Sequence, residues 1–241
     1  MAFRQSSGVS FGPRISPAVK MIMIWNVIFY LLQQLLGSSM TRYAGLIPYS
    51  VMGQGFLWQP ITYMFLHGGL FHLLFNMFAL WMFGSELEYQ WGTKRWVKYY
   101  FLTGIGAGLT TIAFAYVAIK LGFGNPRAIY IPTIGASGAI YGLLLAFGLT
   151  FPNRPILLYF LFPIPARIFV LIFGAIEFIS SVSQSDDGIS HIAHLGGMVF
   201  GYIFLKGWPG GSSRDRWRRD KLRSSFRIIE GDDSKDDSPW T

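Results

Sequence analysis

Gly135-Ala136-Ser137-Gly138-Ala139-Ile140-Tyr141-Gly142-Leu143-Leu144-Leu145-Ala146-Phe147-Gly148 decides how the rest of the chain is read. It is an apolar helix-forming run that opens on a serine between glycines. Ser137 and Tyr141 are four residues apart and share one helix face. A second run, His191-Ile192-Ala193-His194-Leu195-Gly196-Gly197, carries imidazoles into another apolar segment. Polar side chains at membrane depth are expensive, which marks both runs as functional candidates.

Outward from these runs, composition sets the class. The chain has 241 residues, 52% hydrophobic and 13% charged, against about 25% charged in ordinary soluble domains. A polytopic, all-α membrane protein follows. With no cysteine, disulfides, a thiol nucleophile and a thiolate metal site are excluded. Residues 1–20 are polar and basic and do not read as a cleavable signal peptide.

A helix needs about 20 apolar residues to cross a bilayer. Six such spans are predicted, at about 21–37, 60–85, 97–118, 134–151, 167–183 and 189–206. Domain organisation is thus an N-terminal segment (1–20), a six-span bundle (21–206) and a charged tail (207–241) expected to be disordered. Residues 152–166, apolar but broken by four prolines, predict an interfacial hairpin or a bent helix entry. With the N-terminus inside, Lys and Arg number 17 in the inner segments and 3 in the outer loops. That bias predicts cytosolic termini, and the net charge of +8 reports topology, not nucleic-acid binding.

In this topology the second, fourth and sixth spans enter from the outer side. Each carries its polar residues in the outer half: His67, His72 and Asn76; Ser137 and Tyr141; His191 and His194. At about 1.5 Å per residue these groups reach similar depths. Gly138 and Gly142 on one span, and Gly197 and Gly201 on the other, form small-residue pairs that permit close backbone approach. The expectation is that the fourth and sixth spans touch through these glycines and bring Ser137 to His194.

The chemistry this permits is nucleophilic. A serine hydroxyl needs a base, and histidine is the usual one. The helix N-terminus at Ser137 favours developing negative charge, and His72 and Asn76 can share an oxyanion. No intramembrane aspartate lies near either histidine in the sequence, so a Ser–His dyad is expected, with Tyr141 packing on the imidazole.

At these residues the chain resembles the rhomboid family of intramembrane serine proteases, over about residues 55–206. The family's Gly-x-Ser-Gly stands here as Gly135-Ala136-Ser137-Gly138, and its His-x-x-x-x-His-x-x-x-Asn as His67, His72 and Asn76. Its His-x-Gly-Gly-x-x-x-Gly stands as His194 through Gly201, and its inner acidic residue as Glu88. The resemblance implies a six-helix bundle, Ser137 as nucleophile and His194 as base. It also implies an oxyanion hole of His72, Asn76 and the Ser137 N–H, with Tyr141 stacked on His194. Implied substrates are single-span membrane proteins cut near their outer end. Trp58-Gln59 stands where some members carry Trp-Arg, so an arginine anchor for the first outer loop is missing.

Other readings compete. His191 is an alternative base, but the glycine register favours His194. His67 is read as bracing the outer end of the second span or its loop, and Glu177 as a structural hydrogen-bonding group. Gly104, Gly106 and Gly108 are read as close-packing positions. A metal enzyme is disfavoured because no His-Glu-x-x-His occurs and no carboxylate lies beside the histidine pairs in the sequence. No metal or cofactor is expected. A transporter is disfavoured by the lack of evident internal repeats. The principal alternative is an inactive relative that binds membrane helices. Expected partners are the bilayer and transmembrane substrates, and no nucleic acid. The loop Ser183–Gly188 is a candidate lid and the fifth span a candidate lateral gate, in a bacterial plasma membrane. The oligomeric state is not legible.

Overall fold

The computed structural model describes residues 12–158, 162–183 and 190–207. Most of the candidate lid and the charged tail from 208 onward lie outside the described residues, as do residues 1–11. Six helices carry the architecture: α1 (Pro17–Leu36), α2 (Leu70–Trp91), α3 (Thr93–Lys120), α4 (Ser137–Thr150), α5 (Ala166–Ser183) and α6 (His191–Gly207). The first three are long and apolar enough to span a bilayer by length and composition. α4, α5 and α6 have 14, 18 and 17 residues. The fold is an all-α membrane bundle.

α1 begins at Pro17, four residues before the expected start, because proline at the first helical turn loses no hydrogen bond and arrives with helical φ. Its free N–H groups are capped from another helix. The Glu88 carboxylate accepts from Ala18 N at 3.1 and 3.0 Å, from Val19 N at 3.1 Å and from Thr93 Oγ1 at 2.7 Å. It also accepts from the Ser16 hydroxyl. A carboxylate at a helix N-terminus is favoured by the dipole, so Glu88 ties the start of α1, the end of α2 and the start of α3 together.

α2 starts at Leu70 rather than near residue 60, and contains one π turn, Leu80–Gly84. The preceding residues form a short helix, Gln59–Thr62, and a 3₁₀ turn, Tyr63–Phe65. His67 therefore lies in the approach to α2 and not on the span. The loop between α1 and α2 is anchored without an arginine. Trp58 Nε1 donates to Tyr43 O at 2.9 Å. Fully buried Gln59 accepts from Ile47 N at 3.0 Å and donates to the carbonyls of Arg42 and Tyr43, both at 3.2 Å. The amide supplies donor and acceptor together, which a guanidinium cannot.

α3 is the helix that α4 and α6 share. A methyl on Gly142 would sit 2.7 Å from Thr103, one on Gly196 2.6 Å from Thr110 Oγ1, and one on Gly106 2.3 Å from the Phe200 ring. Small residues thus bring three backbones together where lipid supplies no hydrophobic drive. Gly104 and Gly108 on α3 are close-packing positions as read, against Met64 and against Leu46 and Tyr63. Between α4 and α5 the proline-rich segment forms an antiparallel hairpin, β1 (Pro155–Leu158) with β2 (Phe162–Pro165), in the register Pro155 to Pro165.

Candidate active site

α4 is short. Fourteen residues rise about 21 Å, less than the roughly 30 Å hydrocarbon thickness. It is too short to cross the hydrocarbon by itself, and the chain reaches its N-terminus as non-helical backbone. Such backbone is tolerated at depth only where it is buried in protein or lines a cavity. Here it is paired. Thr133 and Leu46 exchange N–H···O bonds at 2.9 Å in both directions, and Gly135 N donates to Tyr63 O at 2.9 Å. Gly135 has φ +128°, which only glycine adopts without strain. Its missing side chain also makes room for His72, whose Cε1 would lie 2.9 Å from a Cβ there.

Ser137 is the first residue of α4, and the first intrahelical bond runs from Ile140 N to Ala136 O at 3.1 Å. Its N–H is thus one of the donors a helix start leaves over. Ser137 Oγ lies 2.8 Å from His194 Nε2. Tyr141, one turn further along α4, lies flat on the His194 ring with centroids 4.2 Å apart and planes 11° from parallel. His194 is in the first turn of α6 and buried.

The glycine seam differs from the expected one. Only the upper pair makes an α4–α6 contact: a methyl on Gly197 would lie 1.9 Å from Gly138 O. The lower pair faces α3, with Gly142 against Thr103 and Gly201 within 2.4 Å of the Tyr99 hydroxyl by the same measure. That hydroxyl donates to Gly142 O at 2.7 Å. α4 and α6 meet at the level of Ser137 and diverge around α3 below it.

His72 and Asn76 lie on α2 as their spacing predicts. Gly68 N donates to His72 Nδ1 at 3.2 Å, so Nδ1 is the acceptor and Nε2 carries the hydrogen. The Nε2 side faces Gly135, 3.0 Å from where a Cβ would be, and that same point is 3.6 Å from Ser137 Oγ. A donor N–H thus points into the Ser137 pocket. Asn76 is buried and donates one amide hydrogen to His72 O at 2.8 Å. His67 is buried edge-on against His72, at 5.0 Å between centroids, and its N–H donates to Gln33 Oε1 of α1 at 3.0 Å. It braces the loop, as read.

Sequence reasoning missed one neighbour. Glu177 on α5 accepts from the Tyr141 hydroxyl through Oε1. Its Oε2 lies 2.6 Å from His191 Nδ1 and 2.9 Å from His194 Nδ1. A carboxylate does stand beside the histidine pair, then, contrary to the expectation from the linear order. The legible signal was its cost: Glu177 is the one acidic residue in α5 and demands buried partners. Glu177, His191 and His194 offer ligand atoms within 4.8 Å of one another, a set able to hold a divalent cation.

The Rhomboid domain family model matches residues 54–208, which contain every candidate side chain above. The chain belongs to the rhomboid family. It is 31% identical over 170 residues to Rhomboid protein 1, mitochondrial, of Saccharomyces cerevisiae, covering 68% of this chain and 44% of that one. To Rhomboid protease GluP of Bacillus subtilis it is 31% identical over 186 residues, covering 76% and 32%. To RHOMBOID-like protein 2 of Arabidopsis thaliana it is 30% identical over 181 residues, covering 70% and 50%. The chain thus spans less than half the length of the first two relatives. Gln59 and Glu177 lie in the matched region together with the histidines and Ser137.

Proposed function

We propose that this chain is an intramembrane serine endopeptidase that hydrolyses peptide bonds of single-span membrane proteins near the outer face. The observation that carries the reading is the 2.8 Å approach of Ser137 Oγ to His194 Nε2 with Tyr141 stacked on the imidazole. Ser137 Oγ attacks the scissile carbonyl while His194 Nε2 takes its proton. Negative charge on the carbonyl oxygen falls to the Ser137 N–H, the His72 Nε2–H and the Asn76 amide. Collapse breaks the C–N bond, and His194 returns the proton to the leaving amine. Water then attacks the acyl-serine, His194 takes its proton, and Ser137 leaves as the hydroxyl.

The aqueous pocket follows from the short α4, whose start lies below the outer surface. The lateral path runs between α2 and α5. Both present large apolar side chains outward, Phe71 and Phe75 on one and Leu171 and Ile179 on the other. The charge bias supports cytosolic termini, in a bacterial plasma membrane.

The test is cleavage of a model single-span substrate in liposomes by wild type and by Ser137→Ala. Wild type is expected to cut and Ser137→Ala to be inert. Equal cleavage by both refutes the nucleophile. An inert wild type that still captures the substrate helix favours a non-proteolytic helix binder.

A further inference from the structure

We infer that Glu177 is a positioning residue whose carboxylate takes the Nδ1–H of His194 and so holds that imidazole with Nε2 free for the Ser137 proton. The inference rests on the proteolytic reading above and adds to the dyad a third group, from α5.

Geometry carries it. The His194 ring is held flat against Tyr141, with one ring nitrogen at Ser137 Oγ and the other at Glu177 Oε2. Tyr141 in turn donates its hydroxyl to Oε1 of the same carboxylate. One side chain therefore anchors both the imidazole and the ring that stacks on it. Glu177 is 5% exposed, so its oxygens must be satisfied within the protein.

The tautomers follow by counting donors at Oε2. Oε2 faces two Nδ1 atoms, those of His191 and His194. A protonated carboxyl has one hydrogen and could serve one of them, leaving a lone pair aimed at an oxygen on the other. An Oε2 that carries no hydrogen can face two Nδ1–H groups, with a lone pair for each. Both histidines are then Nδ1–H tautomers, and His194 Nε2 is an acceptor. At 2.9 Å the His194 Nδ1–H is off the hydrogen-bond direction, and Nδ1 has no well-aligned partner. Catalytic hydrogen bonds are commonly misaligned before substrate binds and tighten in the complex. The titratable groups facing His194 are Glu177 from α5, His72 from α2, Tyr141 from α4 and His191 from α6 itself. α3 meets this part of α6 with Thr110, against Gly196.

The experiment separates orientation from packing. Glu177→Gln keeps the volume and an acceptor for Tyr141, so a structural clamp would tolerate it. A positioning carboxylate would not. The new NH₂ would donate to His194 Nδ1 and move the hydrogen to Nε2, where it blocks the base. The expected result is a kcat lower by about 100-fold or more with KM within roughly twofold. Glu177→Ala, which imposes no tautomer, should lose less than Glu177→Gln. Imidazole ¹⁵N spectra of the wild-type protein in micelles should show His194 protonated on Nδ1. Wild-type kcat in Glu177→Gln, or a His194 hydrogen on Nε2 in the wild type, overturns the inference. An inert wild type would sink the proteolytic reading instead, and the wild-type tautomer would still decide the role of Glu177.

Discussion

Gly197→Ala probes the glycine, among the described residues, with the least room for a side chain. The added carbon would sit 1.9 Å from Gly138 O, about 1.4 Å short of an ordinary C···O contact of roughly 3.3 Å. The obstacle is a backbone carbonyl in the first turn of α4, which cannot rotate away as a side chain can. The helices must therefore separate. Carried to the neighbouring pair, that shift stretches the 2.8 Å Ser137–His194 contact to about 4 Å, beyond the hydrogen-bond range of about 3.2 Å. A displaced general base costs about 10²- to 10⁴-fold in rate, and an overpacked core about 1–3 kcal/mol. Two assays read these separately: kcat on a single-span substrate and thermal unfolding in micelles. Gly201→Ala is the comparison. Its added carbon meets the Tyr99 hydroxyl at 2.4 Å, the far end of a side chain that can swing, so it should lose stability with a smaller loss of kcat. Wild-type kcat in Gly197→Ala, or a larger kcat loss in Gly201→Ala, would refute the claim that the upper glycine contact sets the Ser–His distance.

Two further outcomes follow from single side chains. His72→Ala removes the Nε2–H donor beside Gly135 and should lower kcat about 100- to 1000-fold with little change in KM; an unchanged kcat in the substrate assay would remove His72 from the oxyanion site. Glu88→Gln turns one acceptor oxygen into a donor facing Ala18 N and Val19 N. It should cost about 1.5–3 kcal/mol in unfolding experiments and leave kcat unchanged, because Glu88 lies sixteen residues from His72, about 24 Å along α2. A kcat that fell with an unaltered unfolding midpoint would contradict the capping role.

Residues close in sequence were legible because one helix fixes their relation. The shared face of Ser137 and Tyr141, the His72–Asn76 pair and the phase that sets Gly197 one turn after His194 need only a period of 3.6. The membrane class was equally open, since apolar run length is a property of the chain alone. The start of α2 was misjudged by ten residues because the buried stretch from Gln59 to Leu66 is as apolar as a span. What ends it is Gly68-Gly69, together with backbone bonds to a distant loop. Gln59 carries no sign in the sequence of its three loop contacts.

Local order in the chain thus determined the class of protein, its helices and the faces on which Ser137, His72 and His194 stand. The tertiary structure decided which faces meet. It put α3 beneath the α4–α6 contact and swung a lone acid from α5 onto the far edge of the His194 ring. The reason is physical: in lipid every helix face is apolar alike, so hydropathy does not say which side turns inward. Rotation and offset are set only when all the small-residue contacts and buried polar groups are satisfied at once.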